Sequence, residues 1–262
     1  MLSRLRWITA VLVVVTGSEV EQGGLSWAKD ANSDTGIALQ KVLELEDTAR
    51  LLAVLLDSGR SVINENQVLF DDPAKRENGL TPDAFERQLT DMFRSRSGID
   101  LADLKSTRIP ATAKEWLRDL VILSKQVVAE AQPEISRPQV GSKGFIPAVY
   151  GARVATRFTK QTGVRMKQTA LVPRNPENAP DSSERASLEI FADPNYPRER
   201  VISETSASSR TLRLMFPLYT TRQCLACHGE PKGTLDKTGY PREGLKLGQN
   251  AGAISVVIPL SK

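Results

Sequence analysis

Both cysteines of this 262-residue chain and its single histidine lie in one six-residue stretch, Cys224-Leu225-Ala226-Cys227-His228-Gly229. The pattern C-x-x-C-H is the attachment signal for a c-type haem. Its spacing lets each thiol add to one vinyl group of the porphyrin, and the imidazole that follows reaches the iron as proximal ligand. The stretch therefore predicts one covalent haem, held by Cys224 and Cys227, with His228 bound to the iron.

Three other chemistries use similar residues. A zinc site needs three or four protein ligands, and the chain has no second Cys or His pair to supply them. A thioredoxin-like redox pair normally opens the helix after the first strand of a βαβ unit, whereas this pair lies near the C-terminal end of the chain. A structural disulfide does not need the histidine that follows. Zinc is therefore disfavoured, and a disulfide or a redox pair remains the alternative to haem attachment.

The length and charge of the chain are those of an ordinary globular protein. A chain of 262 residues can bury a good core, and one domain of about 200 residues with a helical extension is the natural expectation. The chain has 35 Lys and Arg against 31 Asp and Glu, which gives a net charge of +4. This mild excess is spread along the chain, so we expect no nucleic-acid partner.

The N-terminus has the pattern of a signal peptide. Two arginines precede the apolar run Trp7 to Val15, which has the length of a signal-peptide core and is short for a membrane span. We predict that residues 1–28 are the signal peptide, with cleavage after Ser26-Trp27-Ala28 or, closer to the apolar run, after Val15-Thr16-Gly17. The protein is then exported to the periplasm and has no membrane span after cleavage; an uncleaved anchor is the alternative.

Residues 29–140 are predicted to form a helical region that packs on the rest of the protein. After a polar leader, apolar residues recur at helical spacing in three segments. The three helices are expected at Gly36–Phe70, Thr81–Ser97 and Thr112–Pro133. Thr81 before Pro82 is typical of an N-cap followed by proline at the first helical position. Thr112 and Glu115 have the spacing of a capping box.

Residues 141–262 combine helix and strand patterns. Helices are expected at Ile146–Thr162 and Asp181–Phe191, and strands at Val164–Val172, Arg200–Ser206, Arg210–Tyr219 and Ala253–Leu260. The Ser-rich turn between the second and third strands favours a hairpin, and the Val and Ile content of the last strand favours a central position. Clustered strands with helices before and beside them indicate an α+β fold with an antiparallel sheet.

Four segments of this chain give it a resemblance to a known family. They are Gly144-Phe145-Ile146-Pro147-Ala148-Val149, Pro173-Arg174-Asn175-Pro176-Glu177-Asn178-Ala179-Pro180, Cys224 to Gly229, and Gly252-Ala253-Ile254-Ser255-Val256. With them the chain resembles the single-haem, c-type, PAS-like domains that occur as exported proteins and as sensory modules of bacterial signalling proteins. The Arg-Asn-Pro loop combined with the later C-x-x-C-H carries most of the specificity.

The resemblance implies a PAS-like antiparallel sheet flanked by helices, with residues 141–262 as the haem domain and a role in redox or small-ligand sensing. It also implies His228 as proximal ligand, in agreement with the spacing. Some members of that family use a cysteine just upstream of the helix that here begins near Pro147 as the sixth iron ligand. Residues 141–147 contain no cysteine, so the distal side of the haem does not transfer to this chain.

The sixth iron ligand has to come from another residue type or from outside the chain. With His228 used, the internal candidates are a methionine thioether, a lysine amine or water. Met166 is the first candidate because alternation along the first predicted strand directs it inward, although any such methionine can equally be core filler. Arg174 and Asn175 are candidates for hydrogen bonds to the haem propionates, with stabilisation of their own loop as the alternative.

These residues favour a sensory haem protein over two other classes. A change at the iron would alter packing or partner binding, and the partner would be a signalling or redox protein, with a diatomic gas as a candidate ligand. The alternative is a monohaem electron carrier. A haem enzyme is disfavoured, because the usual distal acid-base group is a histidine and the chain has none left.

Overall fold

A long helix, shorter helices and a four-stranded sheet make up the protein in a computed structural model, which describes residues 27–71, 80–136, 144–206 and 208–260. The predicted signal peptide, residues 1–28, lies outside these ranges except for the backbone of its last two residues. The helices are α1 Trp27–Glu65, α2 Gln67–Asp71, α3 Pro82–Ser97, α4 Ala111–Glu130, α5 Gln132–Ser136, α6 Pro147–Thr162, α7 Ser182–Phe191 and α8 Leu225–His228. The strands are β1 Arg165–Thr169, β2 Ile202–Ser206, β3 Thr211–Tyr219 and β4 Asn250–Pro259.

The sheet is antiparallel throughout, with the strand order β1-β4-β3-β2. Strands β2 and β3 form the predicted hairpin, and β4 lies between β1 and β3 as its Val and Ile content indicated. Because β4 is covered on both faces, seven consecutive residues from Gly252 to Ile258 are buried. The predicted α+β class, with an antiparallel sheet and flanking helices, is confirmed.

One face of the sheet packs against the helices and forms the main hydrophobic cluster. Leu212 and Leu214 of β3 lie on this face with Ile254 and Val256 of β4, next to the stripe that α6 contributes. That stripe repeats at helical spacing, and each fully buried side chain of its size stabilises the fold by about 1.5–3 kcal/mol. It consists of Tyr150, Val154 and Phe158, all buried. The helical first half is thereby joined to the sheet in one core.

The opposite face of the sheet carries a second, smaller cluster. Met215 and Ala253 pack there against Leu188 and Phe191 of α7. Asp181 caps α7 through a capping box, since its side chain accepts from the Glu184 N–H and the Glu184 side chain accepts from the Asp181 N–H. Helix α7 is thus held against this second face of the sheet, which β3 helps to form.

Several predicted helix ends are confirmed, and one is wrong. Thr81 caps α3 ahead of Pro82, and Gly98 ends that helix in the left-handed conformation with φ 72°. The predicted capping box of Thr112 and Glu115 does not form, because α4 begins one residue earlier, at Ala111, behind Pro110. Pro110 takes the N-cap position and has no side-chain acceptor to offer.

Element boundaries differ from the predicted ones by a few residues in three places. The backbone of α1 is helical from Trp27 rather than from Gly36, since a helix already formed extends at low cost. It breaks at Asn66, whose side-chain amide donates to the Val62 carbonyl at 2.8 Å and to the Gln88 side chain at 2.7 Å. Strand β1 ends at Thr169 rather than at Val172, because its pairing with β4 ends there. Strand β4 begins at Asn250 rather than at Ala253, because its pairing with β3 begins there.

Two of the segments that carry the resemblance have structural roles. Phe145 is buried and packs edge-on against Tyr150 at 6.3 Å between ring centroids, so this segment anchors the start of α6. Gly252 has φ 135°, and a Cβ there would lie 2.4 Å from the Thr169 carbonyl oxygen. Only glycine allows β4 to approach β1 this closely.

The described residues from Gln40 onward form one compact unit. The main cluster draws members from α1 through β4, and the predicted division at residues 140 and 141 remains a prediction. None of the helices in the described ranges has both the length and the apolar character that crossing a membrane requires.

Candidate haem-binding site

The segment Cys224–His228 follows the end of β3 and is anchored there by Thr220. This residue is 4% exposed; its N–H donates to the Gln249 carbonyl at 2.9 Å, and its hydroxyl donates to the Lys246 carbonyl at 2.5 Å. In return its carbonyl accepts from the Gly248 N–H at 2.9 Å. The residue that leads into the segment is thus hydrogen-bonded to the loop that precedes β4. The segment is therefore anchored both to the end of β3 and to the start of β4.

The segment itself is one short helical turn. The Cys224 carbonyl accepts from the Cys227 N–H at 3.2 Å and from the His228 N–H at 2.9 Å. Residues three apart on a helix lie on the same face, so the turn places both thiols side by side. Both cysteines are described and partly exposed, and no disulfide joins them.

Gly229 closes this turn because no other residue fits. Its N–H donates to the Leu225 carbonyl at 2.9 Å, and a Cβ at this position would lie 2.5 Å from the same oxygen. A real Cβ does not approach a carbonyl oxygen so closely, so a larger residue would push the chain away from the turn. The close approach to the Leu225 carbonyl therefore requires glycine at the position after the motif.

The imidazole of His228 is oriented by a carboxylate. Its Nδ1 lies 2.9 Å from Oε2 of Glu243, and 40% of the His228 side chain is exposed. A carboxylate only accepts hydrogen bonds, so Nδ1 carries a proton, and Nε2 is the ring nitrogen left to bind a metal. This is the arrangement by which outer-shell carboxylates orient metal-binding histidines. His228 thus presents Nε2 to a metal.

Arg174 joins the surrounding groups into one cluster. Its Nε donates to Oε1 of Glu243 at 2.5 Å and its Nη2 to Oε2 of the same carboxylate at 2.8 Å. Nη1 donates to Oδ2 of Asp236 at 2.6 Å, and Nη2 also donates to the Cys227 carbonyl at 2.8 Å. The guanidinium lies 5.5 Å from the centroid of the Tyr240 ring. One side chain therefore fixes the helical turn relative to the later loop.

Asp236 is the buried anchor of this cluster. Its side chain has no exposed surface and accepts from the Thr238 N–H and hydroxyl, both at 2.7 Å, and from the Tyr240 N–H at 3.1 Å. Burial alone would raise its pKa, but these donors and Arg174 outweigh burial and lower the pKa to about 2. The carboxylate is therefore charged throughout the neutral and mildly acidic range.

Glu243 is likewise kept in its charged form. Burial works to raise its pKa, and the hydrogen bonds from Arg174 and from His228 outweigh this and lower it. The acceptor facing Nδ1 is consequently a carboxylate rather than a carboxylic acid. The site combines two thiols, an oriented imidazole and a negative charge behind that imidazole.

The structure brings together four of the predicted site residues. Cys224, Cys227 and His228 lie on one turn, and Arg174 binds that turn through the Cys227 carbonyl. Asn175 does not join them; it is exposed, and its side-chain oxygen accepts from the Glu177 N–H at 3.1 Å, which caps the 3-10 turn Pro176–Asn178. Its loop-stabilising role is the one that the structure displays.

Met166 is also placed away from the helical turn. It is 6% exposed, pairs with Val256 across the sheet, and belongs to the main cluster, which contains no residue of the segment 224–228. The other two described methionines are likewise packed: Met92 lies against the main cluster and Met215 lies within the second one. Each of the three is surrounded by apolar neighbours.

Sequence reasoning missed the two acidic residues of the site. Asp236 and Glu243 lie in the loop 229–249, which reads only as Gly- and Pro-rich, and neither has a spacing that relates it to the C-x-x-C-H motif. The Arg-Asn-Pro loop signalled that Arg174 matters, but its partners are 62 and 69 residues away. Within the described ranges no group of three or more His, Cys, Asp or Glu residues is arranged to hold a metal ion by itself.

Three strongly exposed apolar side chains occur in the segments bonded to this site. Val172 is 85% exposed and lies two residues before Arg174; Leu235 is 67% exposed and precedes Asp236. Leu247 is 57% exposed and follows Leu245, whose N–H donates to the His228 carbonyl at 2.8 Å. Each of these side chains therefore leaves apolar surface accessible in a segment that is hydrogen-bonded to the site.

Comparison with known proteins identifies the family. No curated protein matches the chain significantly. Among solved structures, the crystal structure of the cyanobacterial heme-protein Tll0287 is similar with 21% sequence identity over 58% of this chain and 98% of that chain, at a TM-score of 0.42. The sequence profile of the Tll0287-like family matches residues 40–259, which is most of the chain. The chain therefore belongs to the Tll0287-like family.

Proposed function

We propose that this chain is an exported c-type haem protein with a redox or small-ligand sensing role. The observation that carries the proposal is the helical turn Cys224–His228, which presents both thiols of the chain and its one imidazole, with Nδ1 of that imidazole bound to Glu243. Membership of a family named for Tll0287, which is described as a heme-protein, agrees with this assignment.

The residues present fit a c-type haem. Cys224 and Cys227 would hold the porphyrin through thioether bonds, and Nε2 of His228 would bind the iron. When bound, the haem supplies an iron that changes oxidation state and takes a sixth ligand. The exposed side chains of Val172, Leu235 and Leu247 offer apolar surface of the kind a porphyrin covers.

The distal side favours sensing over pure electron transfer. Each of the three described methionines is packed among apolar neighbours, and the chain holds no second histidine. We therefore propose water or another exchangeable ligand at the sixth position in place of Met166, which lies in the hydrophobic core. An exchangeable position admits a diatomic gas, and the signal would then pass to a partner protein.

The electron-carrier alternative has one observation in its favour. The His228 side chain keeps 40% of its surface exposed, so the iron ligand lies near the molecular surface. A haem near the surface is what electron transfer to a partner protein requires. A purified ferrous protein that is low-spin and does not bind CO would favour the carrier, whereas a high-spin ferrous protein that binds CO would favour the sensor.

Arg174 is less available to a propionate than its sequence context indicates. Four of its N–H donor positions are used by Glu243, Asp236 and the Cys227 carbonyl. A propionate contact would have to use the remaining N–H on Nη1. We propose that Arg174 chiefly fixes the attachment turn, and that Asn175 fixes its own loop.

Export and the absence of catalysis complete the proposal. The arginine-flanked apolar run at the N-terminus supports export to the periplasm, where bacterial c-type haem is attached. With His228 on the iron, no histidine is left to act as distal acid-base group, so we propose no enzymatic role. Peroxidase turnover that disappears when the haem is removed would contradict this.

The attachment is tested by co-expression with a c-type haem assembly system. We expect the wild-type protein to retain haem through denaturing electrophoresis, and the double variant Cys224→Ala, Cys227→Ala to lose it. His228→Ala is the matched control: it should keep the thioethers and change the iron absorption spectrum. Haem that survives denaturation in the double variant would refute covalent attachment, and an unchanged spectrum in His228→Ala would exclude His228 as ligand.

A further inference from the structure

The carboxylate behind His228 has a consequence beyond haem attachment. The side chain of Glu243 has two neighbours of functional interest: it accepts from Nδ1 of His228 at 2.9 Å and from Arg174 at 2.5 and 2.8 Å. A charged acceptor on Nδ1 pushes electron density into the imidazole and makes it a stronger donor to a metal than a neutral acceptor would. Stronger donation favours the more highly charged, oxidised iron.

We propose that Glu243 is the positioning residue that holds His228 for the iron and keeps the reduction potential of the haem low. The proposal rests on the proposed haem function. It concerns the hydrogen bond to Nδ1, and it assigns to Glu243 no contact with the iron itself.

Glu243 is held where this bond requires it. Both of its oxygens accept from Arg174, whose planar fork fits one carboxylate in one orientation. Arg174 is itself fixed by Asp236, whose side chain has no exposed surface. The carboxylate of Glu243 is therefore already fixed beside Nδ1 of His228, and haem binding does not have to order it.

The same cluster couples the charge to the attachment turn. Arg174 donates to the carbonyl of Cys227, the residue directly before His228, at 2.8 Å. Leu245, two residues after Glu243, donates its N–H to the His228 carbonyl at 2.8 Å. The turn that carries the imidazole and the loop that carries the carboxylate are thus bonded at two backbone positions besides the Nδ1 contact, which keeps donor and acceptor in register.

A purely structural role is the competing explanation. In that case Glu243 serves only as partner of Arg174, and its contact with His228 has no effect on the iron. The two explanations differ in the reduction potential of the folded, haem-bearing protein, which a structural role leaves unchanged.

The test is the midpoint potential of the haem-bearing Glu243→Gln variant, measured by spectroelectrochemistry at one neutral pH. Glutamine keeps the size and an acceptor oxygen but removes the charge. We expect the ferric–ferrous equilibrium to shift at least tenfold toward ferrous iron, which is about 59 mV for a one-electron couple. Glu243→Asp keeps the charge but draws it back by one methylene, and should give a smaller shift in the same direction.

Glu230→Gln is the matched control. Glu230 is exposed, lies two residues from His228 in the chain, and loses the same charge without touching Nδ1 through its side chain. We expect the ferric–ferrous equilibrium of Glu230→Gln to differ from that of wild type by less than twofold. Equal shifts in Glu230→Gln and Glu243→Gln would overturn the proposal, because a general charge effect would explain both.

The remaining outcomes are also decisive. An unchanged potential in haem-bearing Glu243→Gln overturns the proposal while leaving haem attachment intact. Failure of both Glu243 variants to accumulate as haem-bearing protein also counts against it, since Glu243 would then be needed for assembly of the loop. A wild-type protein without covalent haem is a separate result, which refutes the proposed function itself.

Discussion

Replacement of Arg174 by methionine removes a cation that contacts both the attachment turn and the loop 229–249. The variant keeps a flexible apolar stem of similar length. It removes the common partner of Asp236 and Glu243, and it removes the hydrogen bond that Arg174 donates to the Cys227 carbonyl. Breaking a fully buried ion pair by removing one member costs about 3–5 kcal/mol. This is the upper limit for the site.

The structure places the expected cost below that limit. The Arg174 side chain is 21% exposed and that of Glu243 is 30% exposed, so water takes over part of the lost interaction with Glu243. Asp236 has no exposed surface, but it retains the donors of Thr238 and Tyr240. We therefore expect Arg174→Met to lower the free energy of unfolding by about 2–3 kcal/mol.

The assay is urea unfolding of the purified protein at neutral pH, followed by circular dichroism. Arg94→Met is the matched control, because Arg94 also pairs with two carboxylates, Asp91 and Asp100, but at 51% exposure of its side chain. Exposed ion pairs contribute about 0–1 kcal/mol to stability, so Arg94→Met should lower the free energy of unfolding by less than about 1 kcal/mol. Equal losses in the two variants would refute the conclusion that the Arg174 cluster holds the site together.

Two further predictions test the same cluster. Because the pKa of Asp236 is lowered from 3.8 to about 2, the stabilisation it contributes is fully present above about pH 4 and is lost as the pH falls from 4 toward 2. We expect the unfolding free energy of wild type to fall more steeply over that interval than that of Asp236→Asn, and parallel pH profiles would contradict this. Gly229→Ala should displace the attachment turn, since the new Cβ would meet the Leu225 carbonyl oxygen at 2.5 Å. The measurement is the yield of covalent haem relative to wild type, and an unchanged yield would show that the close approach is dispensable.

Local patterns predicted most of the secondary structure because they report on local physics. Thr81 before Pro82 and the Asp181–Glu184 capping box produced the helix starts that they indicate. The box at Thr112 and Glu115 did not, because that helix already begins at Ala111, with Pro110 as its N-cap residue. A capping pattern says where a helix can begin, and neighbouring residues decide which of the competing starts is used.

The strand pairing was predictable in outline only. Val and Ile content indicated a central place for β4, and the Ser-rich turn indicated the β2–β3 hairpin. The partner of β4 on its other side is β1, some 80 residues earlier in the chain, and no local sequence pattern predicts this pairing. Long-range pairing depends on which apolar faces meet when the whole chain packs, as with Met166 opposite Val256.

The sequence by itself determined the chemistry that this protein offers: two thiols and one imidazole within five consecutive residues, with neither a cysteine nor a histidine elsewhere. That follows from covalent order alone, because five consecutive residues keep their side chains near one another in any fold. Only the tertiary structure decided what stands behind the imidazole. Glu243 and Asp236 reach His228 and Arg174 across loops, through packing and charge pairing between distant segments, and sequence spacing carries no record of such contacts.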